Sequence, residues 1–83
     1  MDSSLAPLLR KVLTNALNNP TNLAKYGRVN LLGNAGGRLA ASPEAMVHLC
    51  EAGWVVEGDY IVLAAVVESR VRAVIDSLPA DSG

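Results

Sequence analysis

Few side chains in this sequence could carry covalent chemistry, and those few are not spaced to cooperate. His48 and Cys50, the chain's single histidine and single cysteine, stand two positions apart. Residues i and i+2 of a helix project about 200° apart, so an imidazole at 48 cannot activate a thiol at 50. With no second Cys or His, neither an internal disulfide nor a Cys/His zinc set can form, and Cys50 reads as a core residue. The segment Gly33-Asn34-Ala35-Gly36-Gly37 is rich in glycine. It lacks the Lys-Ser/Thr of a phosphate loop and the spacing of a dinucleotide fingerprint, so it reads as a turn. The sequence implies no enzyme, no metal and no cofactor.

Amides take the place of reactive groups. Residues 15–34, NALNNPTNLAKYGRVNLLGN, gather Asn15, Asn18, Asn19, Asn22, Asn30 and Asn34 with Tyr26, Lys25 and Arg28 between an apolar helix and two glycines. Each amide offers an acceptor and two donors, and tyrosine offers an apolar ring with a polar tip. Such a cluster suits gripping an extended peptide. The amides around Pro20 also suit a simpler role, as helix-ending and capping groups, and Tyr26 alone would serve equally as a core ring.

Elements must hold those residues in place. Eighty-three residues make one domain, which buries roughly 60–65% of its unfolded surface. A content of 51% hydrophobic and 18% charged residues is too apolar for disorder, and the longest aliphatic run, Ile61 to Val67, is too short to span a membrane. The N-terminus carries an acid where a secretory signal needs cations, which together with the lone Cys reads as a cytoplasmic or nuclear protein. Charge is split along the chain. Arg10, Lys11, Lys25, Arg28 and Arg38 against Asp2 give residues 1–40 a balance of +4, and residues 41–83 carry −5. The amide-rich stretch lies in the basic half, which favours acidic partners.

Leu5, Leu8, Leu9, Val12, Leu13, Ala16 and Leu17 recur at helical spacing behind the cap candidates Ser3 and Ser4, and the helix must stop by Asn19 because Pro20 follows. Thr21 to Tyr26 predicts a short helical turn capped by Thr21 or Asn22. Arg28 to Leu32 predicts a short strand, and Gly36-Gly37 a turn or the start of a helix. Ser42-Pro43-Glu44 opens a helix whose stripe is Ala45, Met46, Leu49 and Cys50, with Gly53 closing it. Trp54 reads as packing in the core or hairpin. Val55-Val56 and Tyr60 to Leu63 flank Glu57-Gly58-Asp59 as a hairpin. Val67, Val71, Val74, Ile75 and Leu78 predict a closing amphipathic helix that ends near Pro79. The class is α+β: a small helical domain with a short antiparallel sheet, made of a hairpin and one more strand. Residues 1–4 and 79–83 read as flexible ends.

The same residues carry a family resemblance. The run from Asn15 to Asn34 resembles the central signature of the PUB domain of peptide N-glycanase and of UBA- or UBX-containing proteins, N-I-L-x-N-P followed by K-Y-R-x-I-R-L-x-N. Asn15 precedes Asn19-Pro20 by four residues, Lys25-Tyr26 follows, and Gly33-Asn34 closes the motif. HLCEAGWVVEGDYIVL is similar to the family's next block, and the likeness spans about Leu9 to Leu78. Gly27 stands where the family has Arg after its Tyr, Asn30 where it has Arg in the strand, and Gly37 where it has Phe.

This resemblance implies a single PUB-like domain that binds an acidic C-terminal peptide with an apolar-aromatic end. Such a peptide is the tail of the valosin-containing AAA+ ATPase, or a similar Tyr-containing acidic motif, in the setting of ubiquitin-proteasome degradation. Asn15, Tyr26 and Asn34 match the residues that line the family's pocket. Lys25 and Arg28 would face the peptide's acidic residues, and Asn30 is the remaining position of the set. The domain is expected to act as a monomer away from membranes. The alternatives are a winged-helix-like nucleic-acid-binding domain, which the acids Glu57 and Asp59 in the hairpin disfavour, a PUB-like scaffold without tail binding, and a structural dimerisation domain.

Overall fold

The computed structural model describes residues 5–78. The expected flexible ends, 1–4 and 79–83, and the cap candidates Ser3 and Ser4 lie outside the described residues. Within them the class is α+β, with five helices and one three-stranded antiparallel sheet.

Helix α1 (Leu5–Asn18) buries Leu5, Ala6, Leu9, Leu13 and Ala16, the stripe set by its spacing, and keeps Pro7 in its first turn. Short α2 (Leu23–Tyr26) leads through Gly27 into β1 (Arg28–Asn30). Next come α3 (Asn34–Ala40) and α4 (Pro43–Ala52). Strands β2 (Val55–Glu57) and β3 (Tyr60–Val62) form the hairpin, and α5 (Glu68–Ser77) closes the chain.

Helix α4 has the two ends its sequence prescribes. Ser42 Oγ accepts from the Ala45 N–H at 3.3 Å, and Pro43 occupies the first turn. At the other end Gly53 takes φ +116°, a left-handed conformation that glycine alone adopts cheaply, and the Trp54 N–H reaches back to the Leu49 carbonyl at 3.0 Å. The reversal drops Trp54 into the core, where its side chain is 1% exposed.

The hairpin does not stand alone. Strand β3 is central in the order β1-β3-β2, with Arg28 opposite Val62, Asn30 opposite Tyr60 and Glu57 opposite Tyr60. Alternation sends Ile61 into the core with Val29 beside it, and turns Arg28, Asn30, Tyr60, Val62, Val55 and Glu57 to the outer face. The core joins Leu9 and Leu13 of α1, Leu39 of α3, Leu49 of α4, Trp54, Ile61 and Val71 of α5.

Three expectations need correction. The segment 33–37 is not the turn its glycines suggest: Gly36 and Gly37 lie in the first turn of α3, the helix start that was the other reading of the pair. A β-carbon on Gly36 would stand 1.8 Å from the Asn30 carbonyl oxygen. Glycine is there because α3 crosses the end of β1 at backbone contact, and this packing outweighs glycine's poor helix propensity. Cys50 is exposed rather than core: α4 buries Ala45 and Leu49 of the expected stripe, with Met46 packed against the core, and its next buried residue is Ala52. Val67 is 47% exposed, since it sits at the N-cap of α5, before the helical face that buries Val71 and Val74 begins.

Gly36→Ala is expected to destabilise the fold by about 1–3 kcal/mol through overpacking against backbone. Gly37→Ala, whose β-carbon would meet the Leu31 carbonyl oxygen at an ordinary 3.6 Å, is expected to stabilise by about 0.5–1 kcal/mol. Urea midpoints of the two variants check the pair.

Candidate functional site

Helix α1 packs against both α2 and α3, and β1 touches the same two short helices. The stretch from Asn15 to Asn34 is therefore wrapped around one region of the molecule. Asn15 is half-buried near the end of α1, Tyr26 is half-buried at the end of α2, and Asn34 is exposed in the first turn of α3. Exposed Lys25 places its ammonium 5.2 Å from the centre of the Tyr26 ring.

The amides divide by what they bond. Asn19 Nδ2 donates to the Asn15 carbonyl at 2.8 Å, and the Asn19 backbone N–H adds a second bond to the same oxygen at 3.1 Å, so Asn19 closes the last turn of α1. Asn30 Oδ1 accepts from the Leu32 N–H at 2.9 Å. That bond uses the amide to shape the turn between β1 and α3. Asn22 holds the N-cap position of α2, yet its side chain makes no capping bond; its carbonyl accepts from Lys25 and Tyr26 instead. Of the two expected caps, Thr21 or Asn22, Asn22 thus holds the position, through backbone bonding.

The turn from Leu31 to Gly33 is held at three points. The Leu31 N–H donates to the Asp59 carbonyl at 2.8 Å, the Gly33 N–H to the Asn30 carbonyl at 3.1 Å, and the Leu32 N–H to the Asn30 side chain. Leu32 is 75% exposed on this turn, whereas Leu39 is fully in the core.

Arg28 meets a second ring. Its guanidinium lies 4.0 Å from the centre of the Tyr60 ring on the outer face of the sheet. A stack of this kind contributes ~0.5–1 kcal/mol at an exposed site and holds the planar fork in one orientation. The pair lies in a groove of about 470 Å³ lined by Leu23 and Ala24 of α2, Val62, Leu63, Ala64 and Glu57. Asn15, Tyr26 and Asn34 are not among its lining residues. Sequence reasoning missed this groove. The alternation of Tyr60 and Val62 about Ile61 marks an outer face, but nothing in the sequence says that β1 pairs with β3 and so lays Arg28 across Tyr60.

Among the described residues no group of three or more His, Cys, Asp or Glu side chains is placed to hold a metal ion. His48 is half-buried, its Nδ1 enclosed without a hydrogen-bond partner, as is Trp54 Nε1. No helix among the described residues is long and apolar enough to cross a membrane. No family model, curated protein or solved structure matches the chain.

The division of labour among the amides is testable. Asn19→Ala is expected to cost about 0.5–1.5 kcal/mol through loss of the bond to Asn15, and Asn34→Ala, exposed and removed from that bond, about 0.5 kcal/mol or less. Denaturant midpoints read both values.

Proposed function

We propose that the chain is a non-catalytic, PUB-like interaction module that binds an acidic C-terminal peptide with an apolar-aromatic end, such as the tail of the valosin-containing AAA+ ATPase. The observation that carries this reading is the convergence of α1, α2, β1 and α3 around the Asn15–Asn34 stretch. It brings together elements that bear an amide, an aromatic ring and a second amide not consumed by a capping or turn bond of its side chain: Asn15, Tyr26 and Asn34. Peptide backbone would bond the two amides, and the ligand's apolar end would lie against Tyr26. Lys25, over the Tyr26 ring, and Arg28 supply positive charge for the acidic residues upstream. Such charges set the rate of encounter more than the affinity when they are exposed.

Leu32 would supply the apolar wall that Phe supplies in the family. Leu39 is withdrawn into the core, and Leu32 stands exposed on the fixed turn between Asn30 and Asn34. Cytoplasmic quality control is the setting in which such a module works, with the chain acting as an adaptor for the ATPase. The hairpin's Glu57 and Asp59 are both exposed, which opposes phosphate contact and favours a protein ligand over a nucleic acid.

Calorimetric titration with a free-acid decapeptide rich in Asp and ending in Leu-Tyr tests the assignment. Binding in the micromolar range is expected for the natural sequence. Tyr26→Ala should weaken it at least tenfold while leaving the thermal midpoint of the protein within a few degrees. A collapse of the fold in Tyr26→Ala would show that the ring is core, and absence of heat with the natural sequence would remove the assignment.

A further inference from the structure

We infer that Asn30 is a positioning residue of the peptide site, acting on the ligand through Leu32 rather than by contact: its side chain holds Leu32 out as the surface that receives the ligand's apolar end. This inference rests on the site proposed above and specifies how its apolar wall is held.

Every other leucine among the described residues is buried or packed against the core, whereas Leu32 is 75% exposed. A lone exposed leucine is ordinary. What sets this one apart is the backbone beneath it, where three successive N–H groups are each held by a different acceptor. Leu31 donates to the Asp59 carbonyl at 2.8 Å, Leu32 to Asn30 Oδ1 at 2.9 Å and Gly33 to the Asn30 carbonyl at 3.1 Å. Two of the three acceptors belong to Asn30. That residue is itself anchored, since it pairs with Tyr60 in the sheet and its carbonyl fills the space beside Gly36 of α3. The link from this anchor to Leu32 is the side-chain amide, bonded to the N–H two residues on in the manner of an Asx turn. Leu31 packs against the core, so the turn sends one leucine inward and holds the next outward, two residues before Asn34. The spacing between the apolar surface and that amide is thereby set before a ligand arrives, and binding need not order the loop.

A double-mutant cycle read in peptide affinity tests this. With the free-acid decapeptide rich in Asp and ending in Leu-Tyr, Leu32→Ala is expected to weaken binding about tenfold, and Asn30→Ala about fivefold. In the Leu32→Ala background, Asn30→Ala should weaken it by no more than about twofold further, because the group it positions is gone. Asn30→Ser, whose hydroxyl can accept from the same N–H, should bind within about twofold of the natural sequence. Asn30 is exposed, and each variant should keep its thermal midpoint within a few degrees. Losses that multiply, with Asn30→Ala costing the same factor whether or not Leu32 is present, would mean that Asn30 touches the ligand itself; they overturn the inference and leave the site in place. Full affinity in Asn30→Ala, or no recovery in a folded Asn30→Ser, overturns it as well. Absence of binding by the natural sequence removes the proposed site and the inference together.

Discussion

Helix α3 lies against the end of β1 without a side chain between them. The Asn30 carbonyl oxygen occupies space that a β-carbon on Gly36 would enter to 1.8 Å, so no side chain fits at position 36 between the two backbones. Much of the remaining geometry hangs from that contact. It fixes where α3 starts, hence where Asn34 stands, and it compresses the connection from Asn30 to Gly33 into a turn closed by the Asn30 side chain. Strand β1 in turn is the edge on which β3 is laid, and β3 carries β2. A glycine that weakens a helix by its propensity is here the condition for assembling helix and sheet.

The sheet's two faces do different work. Ile61 and Val29 point inward to join Leu9, Leu13, Leu49 and Trp54 in one core, which secures the hairpin to the helices. Tyr60 and Val62 point outward, and Arg28 from the neighbouring strand folds down on Tyr60. The cation is kept on an aromatic surface, its fork open to solvent, beside an acid on the third strand. That arrangement is a surface of mixed charge over an apolar floor. The amide cluster beyond α2 is different in kind: its groups are neutral, and its local charge comes from Lys25 and the other cations of the first forty residues.

Much of the architecture was legible because local signals agreed with it. The leucine spacing of α1, the Ser42-Pro43 start and Gly53 stop of α4, and the Gly58 turn between two β-rich runs each named its element. What was not legible depends on contacts between distant parts. Two glycines left 36–37 open between a turn and the start of a helix, and the approach of α3 to Asn30 explains why a glycine sits in the helix at 36. Cys50 followed an apolar pattern by residue type, while α4, packed against α3 and α5, buries Ala45, Leu49 and Ala52 and leaves the thiol exposed. The candidate residues Asn15, Tyr26 and Asn34 were singled out by type and spacing, and α1, which bears Asn15, packs against both α2 and α3, which bear the other two. Arg28, chosen with them, rests on a ring thirty-two residues later in the chain. Asn30 was chosen as a ligand group, and its side-chain oxygen accepts from the Leu32 N–H in the turn.

The central claim is that the chain's amide-rich stretch forms a peptide-binding face. Residue-resolved mapping of amide shifts during titration with a free-acid peptide rich in Asp and ending in Leu-Tyr tests it most directly. The account predicts a contiguous response at Asn15, Tyr26 and Asn34, spanning α1, α2 and α3, with α5 silent. No response at millimolar peptide, or one confined to α4 and α5, would contradict it.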